Sequence, residues 1–148
     1  MATHFVVGDF RDGRLVEDTI CRPEWGLDFY APQTFQVCDR RIIIGWMYHW
    51  GKSAPAGCEF AGALSIPREL TWRADRICNY PVAEARNFLK TERAFVKQEG
   101  NQLILSDRHG QNVIREIPEN ARVEILEDTK SIEVFVNGGE ISFTQWLE

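Results

Sequence analysis

The sequence predicts an all-β fold: one four-stranded, propeller-type blade, then a short helix, then a shortened β-sandwich-like unit. Three observations carry this expectation. Short runs of β-branched and aromatic residues, separated by turn residues, recur through the whole chain. Four of these runs are joined by short loops within about 55 residues, the length scale of one propeller blade. Finally, in SIEVFVNGGEISF (residues 131–143) apolar residues alternate on either side of Asn137-Gly138-Gly139, the pattern of a β-hairpin.

The elements follow in order. Residues 4–10 form a first strand, closed by Asp12-Gly13. Residues 28–37, DFYAPQTFQV, form a strand with unlike faces, Phe29, Ala31 and Phe35 on one side and Asp28, Tyr30 and Thr34 on the other. Residues 41–48, RIIIGWMY, are apolar on both faces and suit a central strand. Residues 61–70 lie beside it, with Pro67 confining that end to an edge or a bulge. Residues 76–80 complete the set. After Pro81, VAEARNFLK predicts one short helix, and residues 102–105, 112–117 and 123–126 supply further strands before the final hairpin.

Composition narrows the function. The chain has 148 residues, 44% hydrophobic and 26% charged, enough for a buried core without metal or disulfide. Seventeen basic residues against 22 acidic ones give a net charge of -5, and the basic residues are scattered, which argues against nucleic-acid binding. No apolar run approaches the ~18 residues of a membrane span, and MATHFVVGDFRD has no signal-peptide pattern. The expectation is a soluble, cytoplasmic protein with no membrane partner. Cys21, Cys38, Cys58 and Cys78 show no metal-ligand spacing to one another or to His4, His49 and His109, so no metal or cofactor is expected and the thiols are read as reduced and mostly buried.

No GxSxG, GxxxxGK[ST] or GxGxxG motif is present. The stretch from residue 28 to 50 instead gathers Asp28, Tyr30, Trp46 and Trp50 on two adjacent strands. Carbohydrate sites pair a carboxylate, which accepts from hydroxyls, with rings that cover the apolar face of a sugar. The competing reading is structural, with core tryptophans and Asp28 capping a strand end.

The runs LDFYAPQTF (27–35), RRIIIGWMYHW (40–50), GALSIPREL (62–70), PVAEA (81–85) and SIEVFVNGGEISFT (131–144) stand in the same order as in the C-terminal portion of glycoside hydrolase family 32, which the chain resembles over most of its length. The family includes invertases and sucrose-6-phosphate hydrolases, built from a five-bladed propeller and a β-sandwich. The resemblance implies that residues 1–81 are a partial propeller, namely the last strand of the fourth blade and the fifth blade. Residues 82–148 would then be a linker helix and a truncated sandwich.

The resemblance also implies site residues. Asp28 and Tyr30 match positions that approach the family's central pocket, and Trp46 matches a tryptophan at its rim. Arg68 and Glu69 fall in the PRE run, where a blade-internal ion pair is expected, and Glu133 is expected to be structural or an interdomain contact. Phe60 stands where relatives often carry Trp. Catalysis is another matter, since retaining glycosidases need two carboxyls ~5–5.5 Å apart. The family takes them from WMNDPNG-like and EC motifs, with a stabilising Asp from RDP. Here Arg11-Asp12 precedes Gly13, and Cys58-Glu59 has the reverse order, so no catalytic residue is assigned.

The expected function is that of the C-terminal part of a β-fructofuranosidase-like hydrolase, noncatalytic alone, with a weak carbohydrate-binding module or an inactive relic as alternatives. The expected partners are a sucrose-like or fructose-containing sugar, bound weakly through Asp28, Tyr30 and Trp46, and either a complementing N-terminal hydrolase half or further copies of the chain. Association is expected through the two apolar faces of RIIIGWMY, unless the sandwich covers them.

Overall fold

The computed structural model describes residues 3–22, 24–48 and 60–147. His49, Trp50, Cys58 and Glu59 lie outside them. Among the described residues the chain forms thirteen strands and one 3-10 helix.

Strands β1 (Phe5–Arg11) and β2 (Arg14–Cys21) form an antiparallel hairpin. Its turn, Asp12-Gly13, has left-handed backbone at both positions, which the sequence allows because Asp tolerates it and Gly is indifferent to it. Cross-strand pairing puts Val6 beside Ile20 and Phe10 beside Leu15. All four side chains are exposed, Phe10 by 76%, so the hairpin presents an apolar face to solvent.

The blade follows: β3 (Tyr30–Val37), β4 (Arg40–Met47), β5 (Ala63–Leu64), β6 (Arg68–Arg73) and β7 (Arg76–Pro81). The order is β3-β4-β6-β7, antiparallel throughout, and β5 pairs with the far end of β4. The single strand expected over 61–70 is therefore two pieces. Pro67 has no N–H to give to a ladder, and at the break the Ser65 hydroxyl accepts the Gly45 N–H (3.0 Å) while the Ser65 N–H donates to the Gly45 carbonyl (2.9 Å). Gly45 serves a second end: a Cβ there would lie 2.4 Å from the Phe29 ring, so only glycine lets that ring pack on the strand.

The helix expected after Pro81 is a 3-10 helix, Ala83–Phe88. It stops because Leu89 is extended and Lys90 exchanges two backbone bonds with Ile125, 2.8 and 2.7 Å. Beyond it β8 (Val96–Glu99), β9 (Gln102–Ser106) and β10 (Asn112–Glu116) form one sheet, while β11 (Val123–Glu127), β12 (Ser131–Val136) and β13 (Ile141–Trp146) form another. Between the two sheets lies the main core, including Leu103, Leu105, Ile125, Ile132, Val134, Val136 and Phe143. Fully burying each such side chain contributes about 1.5–3 kcal/mol.

Period 2 sends Ser131, Glu133 and Phe135 to the opposite face of β12, where they are also buried, against the blade. Every residue of β12 is thus covered on one face or the other. Residues 24–28 run along the outer edge of β13, with Trp25 N–H donating to the Ser142 carbonyl (2.8 Å) and Asp28 N–H to that of Thr144 (3.1 Å). In RIIIGWMY, Ile42, Ile43, Met47 and Tyr48 are all at most 6% exposed, which agrees with the alternative expectation that these faces are covered. Exposed apolar side chains include those of the β1–β2 hairpin and Phe35 and Val37 of β3.

Candidate functional site

Tyr30 opens β3 and Trp46 lies directly opposite it near the end of β4. Their ring centroids are 6.4 Å apart, and Trp46 is in turn 4.9 Å from Tyr48, two residues on and therefore on the same face of the chain. The indole N–H donates to the Ala61 carbonyl at 2.8 Å, which fixes the ring's tilt. A bulge between Tyr30 and Gln33 puts Ala31 at φ 43. Bulges re-aim neighbouring side chains, and this one corrects the expected alternation: Phe29 is buried at 7%, whereas Phe35 is 43% exposed. Tyr30 and Trp46 keep part of their surface open. Such a wall suits the apolar face of a sugar ring.

Asp28 is placed differently. It is fully buried, and its Oδ2 accepts the Trp146 N–H of β13 at 2.8 Å. That carboxylate ties the start of the blade to the sandwich. The structure therefore brings Tyr30 and Trp46 together and turns Asp28 toward a different layer. Tyr48 was not singled out in the sequence, although its spacing of two from Trp46 was a signal for it.

The largest polar cluster lies between blade and sandwich. Arg68, at the start of β6, is fully buried and donates from Nε (3.0 Å) and Nη2 (2.6 Å) to Glu133 Oε2. Its Nη1 donates to Glu24 (2.7 Å), to Asn79 (2.9 Å) and to the Ser142 hydroxyl (3.2 Å). The guanidinium also lies over the rings of Phe29 and Phe135, 4.8 and 4.9 Å from their centroids. Burial works against such a charge, but Glu133 and Glu24 outweigh it and hold the Arg68 pKa above its ordinary value. Burial pushes the Glu133 pKa up, while three N–H groups that point at it, two from Arg68 and one from Ile66 (2.7 Å), favour its charged form. Chemically the cluster is a lock. Glu24 and Glu133 are 3% and 1% exposed, so they are not an acid and base for an external glycosidic bond.

The expected Arg68–Glu69 pair inside the blade is not formed. Glu69 faces Arg86 instead, at 3.9 Å. Glu133 takes the interdomain role expected of it, and Glu24, Ser142 and Thr144 are partners the sequence did not disclose. Of the described thiols Cys78 is buried, with burial pushing its pKa up, but Cys21 is half-buried and Cys38 exposed, against the expectation of mostly buried cysteines. Among the described residues no group of three or more His, Cys, Asp or Glu is placed to hold a metal ion.

A five-stranded blade locked by buried charges to a two-sheet sandwich, with aromatic rings at one end, has the architecture of a portion of a propeller-and-sandwich fold. Residues 1–81 match the model of the glycosyl hydrolases family 32 N-terminal domain, and the chain belongs to that family. A sucrose-6-phosphate hydrolase of Vibrio alginolyticus is 28% identical across 84% of this chain and 36% of its own length. A raffinose invertase of Escherichia coli is 44% identical across 43% of this chain and 14% of its own. In structure, the beta-fructofuranosidase of Bombyx mori, a mutant of which was also solved in complex with sucrose, superposes on 99% of this chain and 42% of its own, with a TM-score of 0.74 at 16% identity. The chain thus spans well under half the length of each.

Proposed function

We propose that the chain supplies a blade and the sandwich of a β-fructofuranosidase-type hydrolase, with the reacting carboxyls outside these 148 residues. The observation that carries this reading is the half-open Tyr30–Trp46 wall, set on a bulge in a segment that matches the family domain. In it, Tyr30 and Trp46 cover a fructose-containing sugar while Asp28 holds their strand against the sandwich. The bared apolar face of the β1–β2 hairpin takes the remainder of the catalytic fold.

The reading is tested by titrating the chain with sucrose and sucrose 6-phosphate under tryptophan fluorescence. Half a pocket buries little ligand, so saturation is expected at or above about millimolar concentration. Trp46→Ala is expected to abolish the response, and sucrose hydrolysis by the chain alone is expected at the uncatalysed rate. A response that survives Trp46→Ala, or sugar release by the chain, overturns the proposal.

A further inference from the structure

Three of the four sheet edges in the sandwich meet other backbone. Residues 24–28 run along β13, Lys90 exchanges two bonds with Ile125 of β11, and the Val96 N–H of β8 donates to the Arg93 carbonyl at 3.2 Å. The fourth edge, β10, has no such neighbour among the described residues. We infer that this edge is a docking site for an extended segment of another polypeptide, which joins the three-stranded sheet beside β10. The inference does not rest on the Tyr30–Trp46 wall.

The bonding pattern tells which groups are on offer. Asp107 N–H donates to the Gln111 carbonyl (3.0 Å) and Ile117 N–H to that of Asn101 (2.8 Å), both in the register that pairs β10 with β9. Bonded pairs alternate along an antiparallel ladder. Val113 and Arg115 therefore bond inward to β9, and Asn112, Ile114 and Glu116 turn their N–H and C=O groups outward. Of these, the Ile114 carbonyl accepts from Arg115 Nη1 (2.9 Å) and keeps a second lone pair. The strand, NVIRE, holds no proline and no bulge, two of the devices by which edge strands refuse a further partner.

The space beside this edge suits a strand. Residues 24–28 widen the facing sheet beyond β13, and a cavity of about 380 Å³ lies between them and β10, lined by Trp25, Ile141 and Phe143 on one side and Ile114, Arg115 and Glu116 on the other. Arg22 stacks on Trp25, 4.4 Å from its ring centroid, and steadies that wall. Trp25 is 38% and Ile114 51% exposed, so an apolar side chain seated between them removes apolar surface from water. Charge selects the rest of the segment. Neither Arg115 nor Glu116 has an ion pair among the described residues. Side chains directly opposite on paired strands interact, and opposite charges favour the pairing. An antiparallel segment that reads basic, acidic, apolar thus sets its basic residue against Glu116, its acidic one against Arg115 and its apolar one beside Ile114.

The test is hydrogen exchange of the chain at low micromolar concentration, read by mass spectrometry, with the end-blocked peptide Thr-Lys-Glu-Val-Thr-Val as probe. At about 5 mM peptide, exchange over residues 111–117 is expected to slow about threefold or more, the factor that mass action gives for a Kd of about 2.5 mM. Ile114→Pro takes away one outward donor and leaves the ladder to β9 intact, since the Ile114 N–H is not part of it. Protection by the peptide is expected to vanish in that variant while the sandwich core exchanges as before. Arg115→Glu is expected to weaken binding roughly threefold and to regain it with Thr-Lys-Lys-Val-Thr-Val, a rescue that a merely structural Arg115 would not give. No protection at about 5 mM peptide, protection that survives Ile114→Pro, or failure of the charge-swapped peptide to rescue Arg115→Glu overturns the inference. So does slowed exchange of the same residues on concentrating the chain alone, which assigns the edge to a second copy.

Discussion

Arg68 and its neighbour Glu69 show what one residue of strand does to a sequence reading. Adjacent in the chain, they were expected to pair, but successive side chains of a strand point to opposite faces. Arg68 therefore turns into the blade–sandwich interface and Glu69 turns out toward Arg86. Removing the buried cation leaves Glu24 and Glu133 without a counter-charge. Arg68→Met is expected to cost about 3–5 kcal/mol, read from urea denaturation. Tyr80 makes a second prediction. Burial, then its bond to Glu124, raises its pKa to about 12 from the ordinary 10. The phenol's contribution to stability is therefore complete below about pH 10 and is lost as pH rises toward 12. Phenolate absorbance is expected to show one late-titrating tyrosine that Tyr80→Phe removes.

Elements were legible where the pattern was local. The final hairpin was plain because alternation and the Asn-Gly-Gly turn sit within one short window, whereas the docking of that turn on β7 was not: a Cβ on Gly139 would lie 2.3 Å from the Asn79 carbonyl. The Tyr30–Trp46 wall was legible for the same reason, its two strands being consecutive. Strand β2, RLVEDTIC, was missed because its exposed acidic residues interrupt the apolar alternation, and β8, VKQE, because it is short and mostly polar. Asp28's role was hidden by distance, since Trp146 lies 118 residues away. The hairpin β1–β2 carries its own prediction. Val6, Phe10, Leu15 and Ile20 offer an uncovered apolar face, and such faces drive association. Light scattering over a dilution series is expected to show self-association that Phe10→Asp with Ile20→Asp abolishes. A monomer in the unsubstituted chain at tens of micromolar refutes it.

At the scale of the molecule, three sheet layers share two interfaces of different character. Sandwich sheet meets sandwich sheet through apolar side chains, a packing that tolerates volume-conserving substitution at modest cost. Blade meets sandwich through directional charges and hydrogen bonds, which hold one register. The contact that Asp28 helps to make, and that holds the start of the Tyr30 strand, is therefore the more exacting of the two.

The Arg68 lock also sets an order in time. Its carboxylate partners lie 44 residues before it and 65 after it, and Ser142 lies 74 after. During synthesis the blade strands leave the ribosome with Arg68 still wanting Glu133, and nothing within the blade supplies that carboxylate. Closing such distant contacts is slow and comes late. A chain that stops before residue 131 keeps the cation and loses one of its two buried counter-ions, so its blade is expected to be less stable. The last hairpin thus supplies the second counter-ion for a blade made many residues earlier.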